Sequence, residues 1–454
     1  MAWPFHLFRR DTAQPVQQRS FDAATGGRRG SAFMSYGSNA TETLAAAAPL
    51  RSRARHAYAN NGYIQNGVNA IVAESVGAGI EPASAHPDIG LRDPLNQEWL
   101  TFAESADVEG RTDLRGLLSQ MVLACVVDGE SFAVIEEDSD GVQVRLIPAE
   151  MVEESKTADL GEGRYIAAGI EFDARGRRVA YHIQPQRPTD LFPTSRTPIR
   201  VPAKDVLHLM RPLGPGQVRG VSWLAPILLT VNELDQLQDA LLVGAKIAAM
   251  HAGFVTDNNN IGGSGAYPEA DSLTDISLEP GVVRILPAGT DIKFNSPAEA
   301  KDSIAFAKLT LGQIAAGLGI PQFWLDGDLT GANYSSLRAG LIPTRAKLEQ
   351  FQDHQIIPQV LAPLWRRVQT RAYLSGCVDI PDLAPALKAE WLPPRFMQVD
   401  PAKDTQALIA QIDAKLTSRT KAVASLGWNI ADLDKEIAAE NADAPDTLET
   451  TDAD

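Results

Sequence analysis

Two helical stretches separated by a segment that cannot be helix constrain this chain more than any other feature. Leu224–Met250 is the longest uninterrupted helical pattern. Ile227, Val231, Leu234, Leu241 and Ala245 form one stripe, and Asn232, Asp235, Gln236 and Asp239 the opposite one. Pro226 falls in its first turn, where a missing N–H is tolerated. Glu299–Gly317 reads as the second helix. Between them lie a loop-rich stretch, 258–272, and two short strand patterns, Val282–Leu286 and Asp291–Phe294. The chain leaves on one helix, builds a small insertion and returns on the other.

The flanking sequence supplies a body. Tyr63, Val68, Ile71, Val72 and Val76 recur at helical spacing between Leu50 and the break Gly77-Ala78-Gly79, and further helices are expected at Asn96–Glu104 and Leu114–Val127. The period then changes to two. Ser131–Glu136 and Val142–Ile147 read as strands around Asp138-Ser139-Asp140-Gly141, Gly169–Phe172 and Val179–Ile183 around Asp173-Ala174-Arg175-Gly176, and Val206–Met210 adds another. Past the second long helix, Gly319–Asn333 reads as a loop. Tyr334–Leu374 reads as a long helical segment that Pro343, Pro358 and Pro363 must kink or divide. Pro401–Leu416 and Ser418–Ala439 close the helical part. The expected class is α+β with a largely antiparallel sheet.

Composition narrows the function. At 454 residues and 44% hydrophobic, the chain can build a sizeable core without disulfides, and Cys125 and Cys377, each in an apolar stretch, read as buried free thiols. A reducing, cytoplasmic place of folding fits. Residues 1–10 lack a continuous apolar region, so no signal peptide is expected, and the apolar runs are too short to cross a bilayer. The net charge is −16, yet residues 1–60 hold eight Arg against three acids. Residues 1–49 read as an extended arm. Residues 441–454 read as a solvated acidic tail, since 434–454 holds eight acids against Lys435 alone. An acidic bulk suits a surface that DNA slides past better than one that grips phosphate.

Motifs for catalysis are missing. There is no GxxxxGK[ST], HExxH or GxSxG, and Gly262-Gly263-Ser264-Gly265 follows no strand-to-helix pattern. The histidines (His6, His56, His86, His182, His208, His251, His354) never fall at i, i+4, and His182 and His208 read as structural residues in strands. Glu136, Glu137, Asp138 and Asp140 read as solvated acids at a hairpin tip. Asp326-Gly327-Asp328-Leu329-Thr330-Gly331 opens like a calcium loop, but position twelve is Leu337 rather than Glu, so a polar turn is the better reading. No cofactor, metal or catalytic residue is expected.

Several segments resemble the lambda family of tailed-phage portal proteins. They are Phe21-Asp22-Ala23-Ala24 with Gly27-Arg28-Arg29, Ser38-Asn39-Ala40, and Leu50-Arg51-Ser52-Arg53-Ala54-Arg55 leading to Asn60-Asn61-Gly62-Tyr63. Val76-Gly77-Ala78-Gly79-Ile80, Asp128-Gly129-Glu130-Ser131-Phe132, Ala180-Tyr181-His182-Ile183 and Gln217-Val218-Arg219-Gly220-Val221-Ser222-Trp223-Leu224-Ala225-Pro226 continue it. The resemblance spans residues 20–440 and no single motif carries it.

It implies an elongated subunit of a dodecameric ring: wing 50–222, stem helices 223–250 and 299–318, clip 251–298, tunnel loop 319–333, long wing helix 334–375 and crown 376–440. It implies a virion protein, assembled in the host cytoplasm, that passes double-stranded DNA without sequence specificity. The major capsid protein, the terminase large subunit and a head-tail adaptor would be its partners, with no membrane. In that frame Gln322, Trp324, Asp326, Asp328 and Asn333 of the tunnel loop face the channel, and the two aspartates repel and centre the DNA. Lys301 and Lys308, seven apart, form either a weak basic ring in the stem or a solvated outer face. Asn258, Asn259 and Asn260 either meet terminase and adaptor or simply turn. Two rivals stay open: an α+β hydrolase whose site assembles only in space, and a different head-tail connector component.

Overall fold

The computed structural model describes residues 37–139, 141–185, 197–250, 254–256, 284–286, 298–330, 333–394 and 401–443. The ordered body begins earlier than expected. Helix α1 spans Asn39–Asn60, because the Ser38 side chain caps it by accepting from the Thr41 N–H, so residues 39–49 of the proposed arm 1–49 are helix rather than extended chain. Asn61 ends α1 and caps α2 (Gly62–Val76) through the Ile64 N–H. Strand β1 (Glu81–Ser84), α3 (Arg92–Glu104) and α4 (Leu114–Val127) follow, the last capped by Asp113.

Eight strands succeed them: β2 (Glu130–Glu137), β3 (Val142–Ile147), β4 (Ala158–Gly161), β5 (Arg164–Ala167), β6 (Ile170–Phe172), β7 (Arg178–Ile183), β8 (Ile199–Pro202) and β9 (Val206–Met210). They form two antiparallel sheets, β3-β2-β9 and β4-β5-β6-β7-β8. Strands β4, β5 and β8 escape the sequence reading because they are mostly exposed and carry no period-two apolar pattern. Phe132, Ile147, Val152, Ile170, Phe172, Tyr181 and Val206 form a core shared by the two sheets.

Helix α5 (Leu228–Met250) leaves this body, preceded by a turn that contains Pro226, so the helix starts four residues after the expected Leu224. Its base is buried at Val231 and Leu234, whereas Leu242, Val243 and Ala245 are exposed farther out. Three-residue strands β10 (Phe254–Thr256) and β11 (Arg284–Leu286) pair in parallel, and α6 (Ala298–Leu318) returns. The expected strand 291–294 lies outside the described residues.

The loop 319–333 contains a one-turn helix, α7 (Phe323–Asp326). Then α8 (Tyr334–Phe351), a π-helical stretch (Gln352–Leu361) and α9 (Ala362–Ser375) run on without a break. The prolines do not divide this run. Pro358 sits in the wide π turns, which relieve the clash its ring would make with a carbonyl four residues back. From this stretch Gln359 accepts from the Met210 N–H at 2.9 Å and donates to the Met210 carbonyl at 3.2 Å, closing the free edge of β9.

Helix α10 (Leu383–Ala386) and β12 (Ala389–Leu392), which pairs with β1, lead to α11 (Pro401–Asp413), α12 (Arg419–Ser425) and α13 (Ile430–Asp443). Gly427 at φ +81° separates the last two, where a single helix was expected. The main core joins α2, α3, α4, α9 and the bases of α5 and α6, with Trp99 in contact with Phe102, Trp365 and Trp391 at ring distances of 5.3–6.0 Å. Cys125 lies in it, but Cys377 is exposed beyond the end of α9, against expectation, because the chain turns outward at Gly376. No helix among the described residues is long and apolar enough to cross a membrane.

Two glycines let the segment before the stem cross the start of β2 at backbone contact. A Cβ on Gly220 would lie 2.2 Å from the Gly129 carbonyl oxygen, and one on Gly129, at φ +96°, would lie 2.2 Å from the Val221 carbonyl carbon. Backbone cannot yield as a flexible side chain does. Gly220→Ala should therefore cost about 3 kcal/mol or more, read as a lowered urea midpoint at unchanged slope.

Candidate channel loop and the ionic hub behind it

The proposed loop residues are held closely. Asn66 on α2 donates to the carbonyls of Trp324 (2.8 Å) and Leu325 (3.2 Å), and the Leu325 side chain is buried against Gly67. Gln322 donates to the Asp326 carboxylate at 2.9 Å, and the other oxygen of that carboxylate accepts the Asp328 N–H, also at 2.9 Å. Asp328 accepts from the Thr330 N–H and hydroxyl and from Lys308 Nζ on α6 at 2.6 Å. Asn333 forms a capping box with Ser336 at the start of α8.

This geometry changes several expectations. Lys308 and Asp328, assigned separately to a basic ring and a repelling loop, neutralise each other. Their mutual bond holds Asp328 well below the usual carboxylate range and raises Lys308. Asn333 works as a helix cap and Trp324 packs partly on the core. Asp326 and Asp328 spend their oxygens on Gln322, backbone and Lys308, which is the behaviour of a polar turn. Lys301 lies on α6, and its side chain is outside the described residues, as are Asn258, Asn259, Asn260 and the Gly262–Gly265 cluster. At the β2–β3 hairpin, Glu136 pairs with Arg145 and Glu137 with Arg367, so these two acids are not merely solvated.

A second set of strongly perturbed groups lies beside the segment that leads into α5. Glu130, at the start of β2, is fully buried, and so is Arg219. Arg219 donates to Glu130 at 2.8 Å through Nε and to the carbonyls of Ala149 and Ala168, both at 3.0 Å, and its guanidinium lies 5.2 Å from the Phe132 ring centre. The second oxygen of Glu130 accepts the Gly220 N–H at 2.7 Å and faces His208 Nε2 at 3.2 Å. Arg51 of α1 bonds Glu154 at 2.6 Å and reaches Glu130 at 3.4 Å; one turn on, Arg55 grips both oxygens of Asp128 at 2.7 Å.

Burial opposes the charge on Glu130, but the Arg219 charge and the His208 hydrogen bond hold the carboxyl far below its usual range. Burial pushes His208 down to about 4 despite Glu130, so the ring is neutral at pH 7. His208 also meets the Tyr181 hydroxyl at 3.3 Å and stacks on Phe132, which bears out its structural reading. The pairing of Glu130 with Arg219 was not read from the sequence. A signal was there: each charged residue stands beside a glycine, in DGESF and VRGVS.

The model of phage portal proteins of the lambda family matches residues 25–352. The chain belongs to this family. It is a family of structural proteins of the virion, and the portal function expected from the sequence holds. Among relatives, the chain is 25% identical over 413 residues to the probable portal protein of Halomonas phage phiHAP-1, covering 86% of this chain and 79% of that one. It is 22% identical over 332 residues to portal protein B of Escherichia phage lambda, covering 63% and 62%. Solved structures with similarity include chains in the virion and in the neck of a native gene transfer agent particle. Identities are 16% and 15%, with 83% of this chain and 92% of those covered and TM-scores of 0.42 and 0.43.

Segments 50–55, 128–132 and 217–226 all contribute to this hub through Arg51 and Arg55, Asp128 and Glu130, and Arg219 and Gly220. Removing one partner strands the other charge in a dry site. Arg219→Met or Glu130→Gln should each lose about 3–5 kcal/mol in urea unfolding. The pH dependence has two windows. His208 binds a proton in the unfolded chain near pH 6.5 but in the fold only near 4, so stability falls as pH drops between those values, by at most about 1.4 kcal/mol per unit. The Glu130 contribution is lost below about pH 4.3, its unfolded value. His208→Gln should flatten a plot of melting temperature against pH in the upper window and leave the lower one.

Proposed function

We propose that the chain is one subunit of a dodecameric portal ring at the unique capsid vertex, the channel for DNA packaging and ejection. In this reading residues 50–222 and 334–375 form the wing, α5 and α6 the stem, 251–298 the clip, 319–333 the tunnel loop and 376–440 the crown. The major capsid protein surrounds the ring, the terminase large subunit and then the head-tail adaptor dock on it, and DNA passes without sequence readout. The ring assembles in the host cytoplasm and serves no catalysis.

The observation that carries this reading is the surface of the stem. Leu242 and Val243 on α5 and Ile304, Phe306 and Leu309 on α6 are each 53–61% exposed. A helical hairpin with large apolar side chains on its outside needs covering, and each such side chain stabilises the covered state by about 1.5–3 kcal/mol. Copies arranged head to tail around an axis cover every hairpin equally and close on themselves. A hydrolase would need an open pocket around its perturbed groups, whereas Glu130 and His208 are sealed and already partnered.

Light scattering with negative-stain imaging of the purified protein should give rings with a central hole. Phe306→Asp should abolish them while the monomer melts within about 1 °C of the parent, since an exposed site contributes little to monomer stability. Rings that survive this change would remove the stem from the interface. In an infectious or particle-producing background, Asp326→Ala with Asp328→Ala should lower DNA packaged per particle with rings intact. Loss of the rings instead would make the loop structural.

A further inference from the structure

The segment after α7 is folded back on α7 by the Asp328 N–H on Asp326, at 2.9 Å, and among the described residues one side-chain pair joins it to α6. Helix α7 is docked on α2 through Asn66 and Leu325, so Asp326 cannot travel far. Gly327 then takes φ +67°, with nothing within 4 Å of the position a Cβ would occupy, and its N–H closes α7 on the Phe323 carbonyl at 3.0 Å, which leaves the bonds after it as the pivot. Asp328 and Thr330 are bonded to each other, so residues 328–330 move as a unit. Among the described contacts, one bond joins that unit to α6: Lys308 to Asp328 at 2.6 Å, with Lys308 60% exposed.

We propose that the Lys308–Asp328 pair is a latch that holds residues 327–330 against the second stem helix and that double-stranded DNA passing beside it releases. An exposed ion pair biases an equilibrium by a factor of no more than about five, so it yields readily to competition. Duplex DNA carries one phosphate charge per about 1.7 Å of its length. Phosphate attracts Lys308 and repels Asp328, so both halves of the latch respond in the same sense. Asp328 remains charged throughout the neutral range, which makes the device responsive to polyanion and salt rather than to pH. A released loop would free Lys308 toward the phosphates and let 328–330 follow the duplex. The inference rests on the portal reading, because that reading brings DNA to the loop.

The test is hydrogen–deuterium exchange at residues 327–330 of the full chain, with and without short blunt duplex DNA at fixed ionic strength. Lys308→Gln and Asp328→Asn should each speed exchange about three-fold without DNA. Duplex should speed the parent by a similar factor and add nothing to either variant. Exchange unchanged by both single substitutions would overturn the latch, and variants that loosen the loop while the parent ignores duplex would overturn its release by DNA. Negative-stain imaging of the same samples separates the two readings: rings whose loop ignores duplex sink the latch and leave the portal assembly standing. Loosening by substitution in a protein that forms no rings keeps the tie but sinks the assembly it was meant to serve.

Discussion

A buried carboxylate and a buried guanidinium, Glu130 and Arg219, hold the start of β2 to the segment that leads into α5. Taking two charges out of water costs several kcal/mol each, and that cost is offset only when the geometry satisfies almost every donor and acceptor. Here Arg219 is spread over Glu130 and carbonyls from two loops, and Glu130 also takes a backbone N–H and faces His208. The demand for completeness fixes the positions of everything that contributes a partner: β2, the turn at Ala168, α1 through Arg51, and the segment that runs into α5. Gly129 and Gly220 belong to the same constraint, since any side chain there would push the crossing segments apart and open the hub to water.

The consequence reaches the stem. Residues 217–227 are clamped by the hub, by the Trp223 N–H on the Val126 carbonyl at 3.0 Å, and by the Trp223 ring edge-on to Phe351 at 5.0 Å. Helix α5 therefore leaves the body in a set direction, with α6 beside it. A projecting hairpin with apolar flanks is costly in isolation and advantageous in an assembly, where rigid placement means that little orientational freedom is lost on contact. Strength is concentrated at the root, in a dry ionic network, and adhesiveness along the shaft.

The loop 319–333 follows the opposite design. Its ties are short and mutual, half-buried for Gln322 with Asp326 and exposed for Asp328 with Thr330 and Lys308 with Asp328. Water screens such contacts, so each is weak and exchangeable, whereas the hub is screened by nothing. One chain thus carries a permanent ionic cluster where position must not change and a yielding one where moving cargo is proposed to pass.

Much of this was legible in the sequence. Helical periodicity marked α2, α4, α5 and α6, alternation marked β2, β3, β7 and β9, and these signals are strong because each element buries one face. The reading missed β4, β5 and β8, which are mostly exposed; it began α1 too late, because a short side-chain cap rather than an apolar stripe starts that helix; and it expected three prolines to kink or divide a run that carries Pro343 inside α8, Pro358 in a π stretch and Pro363 in the first turn of α9. Residues Lys308 and Asp328 were both singled out, but as separate devices. By itself the sequence determined the class of fold, the two long helices α5 and α6 on either side of an insertion, and the family, because those reside in local periodicity and in segments that can be compared one at a time. Only the tertiary structure decided which charges meet. Glu130 with Arg219 and Lys308 with Asp328 are separated by 89 and 20 residues, and an ion pair depends on distance in space, which no local pattern records.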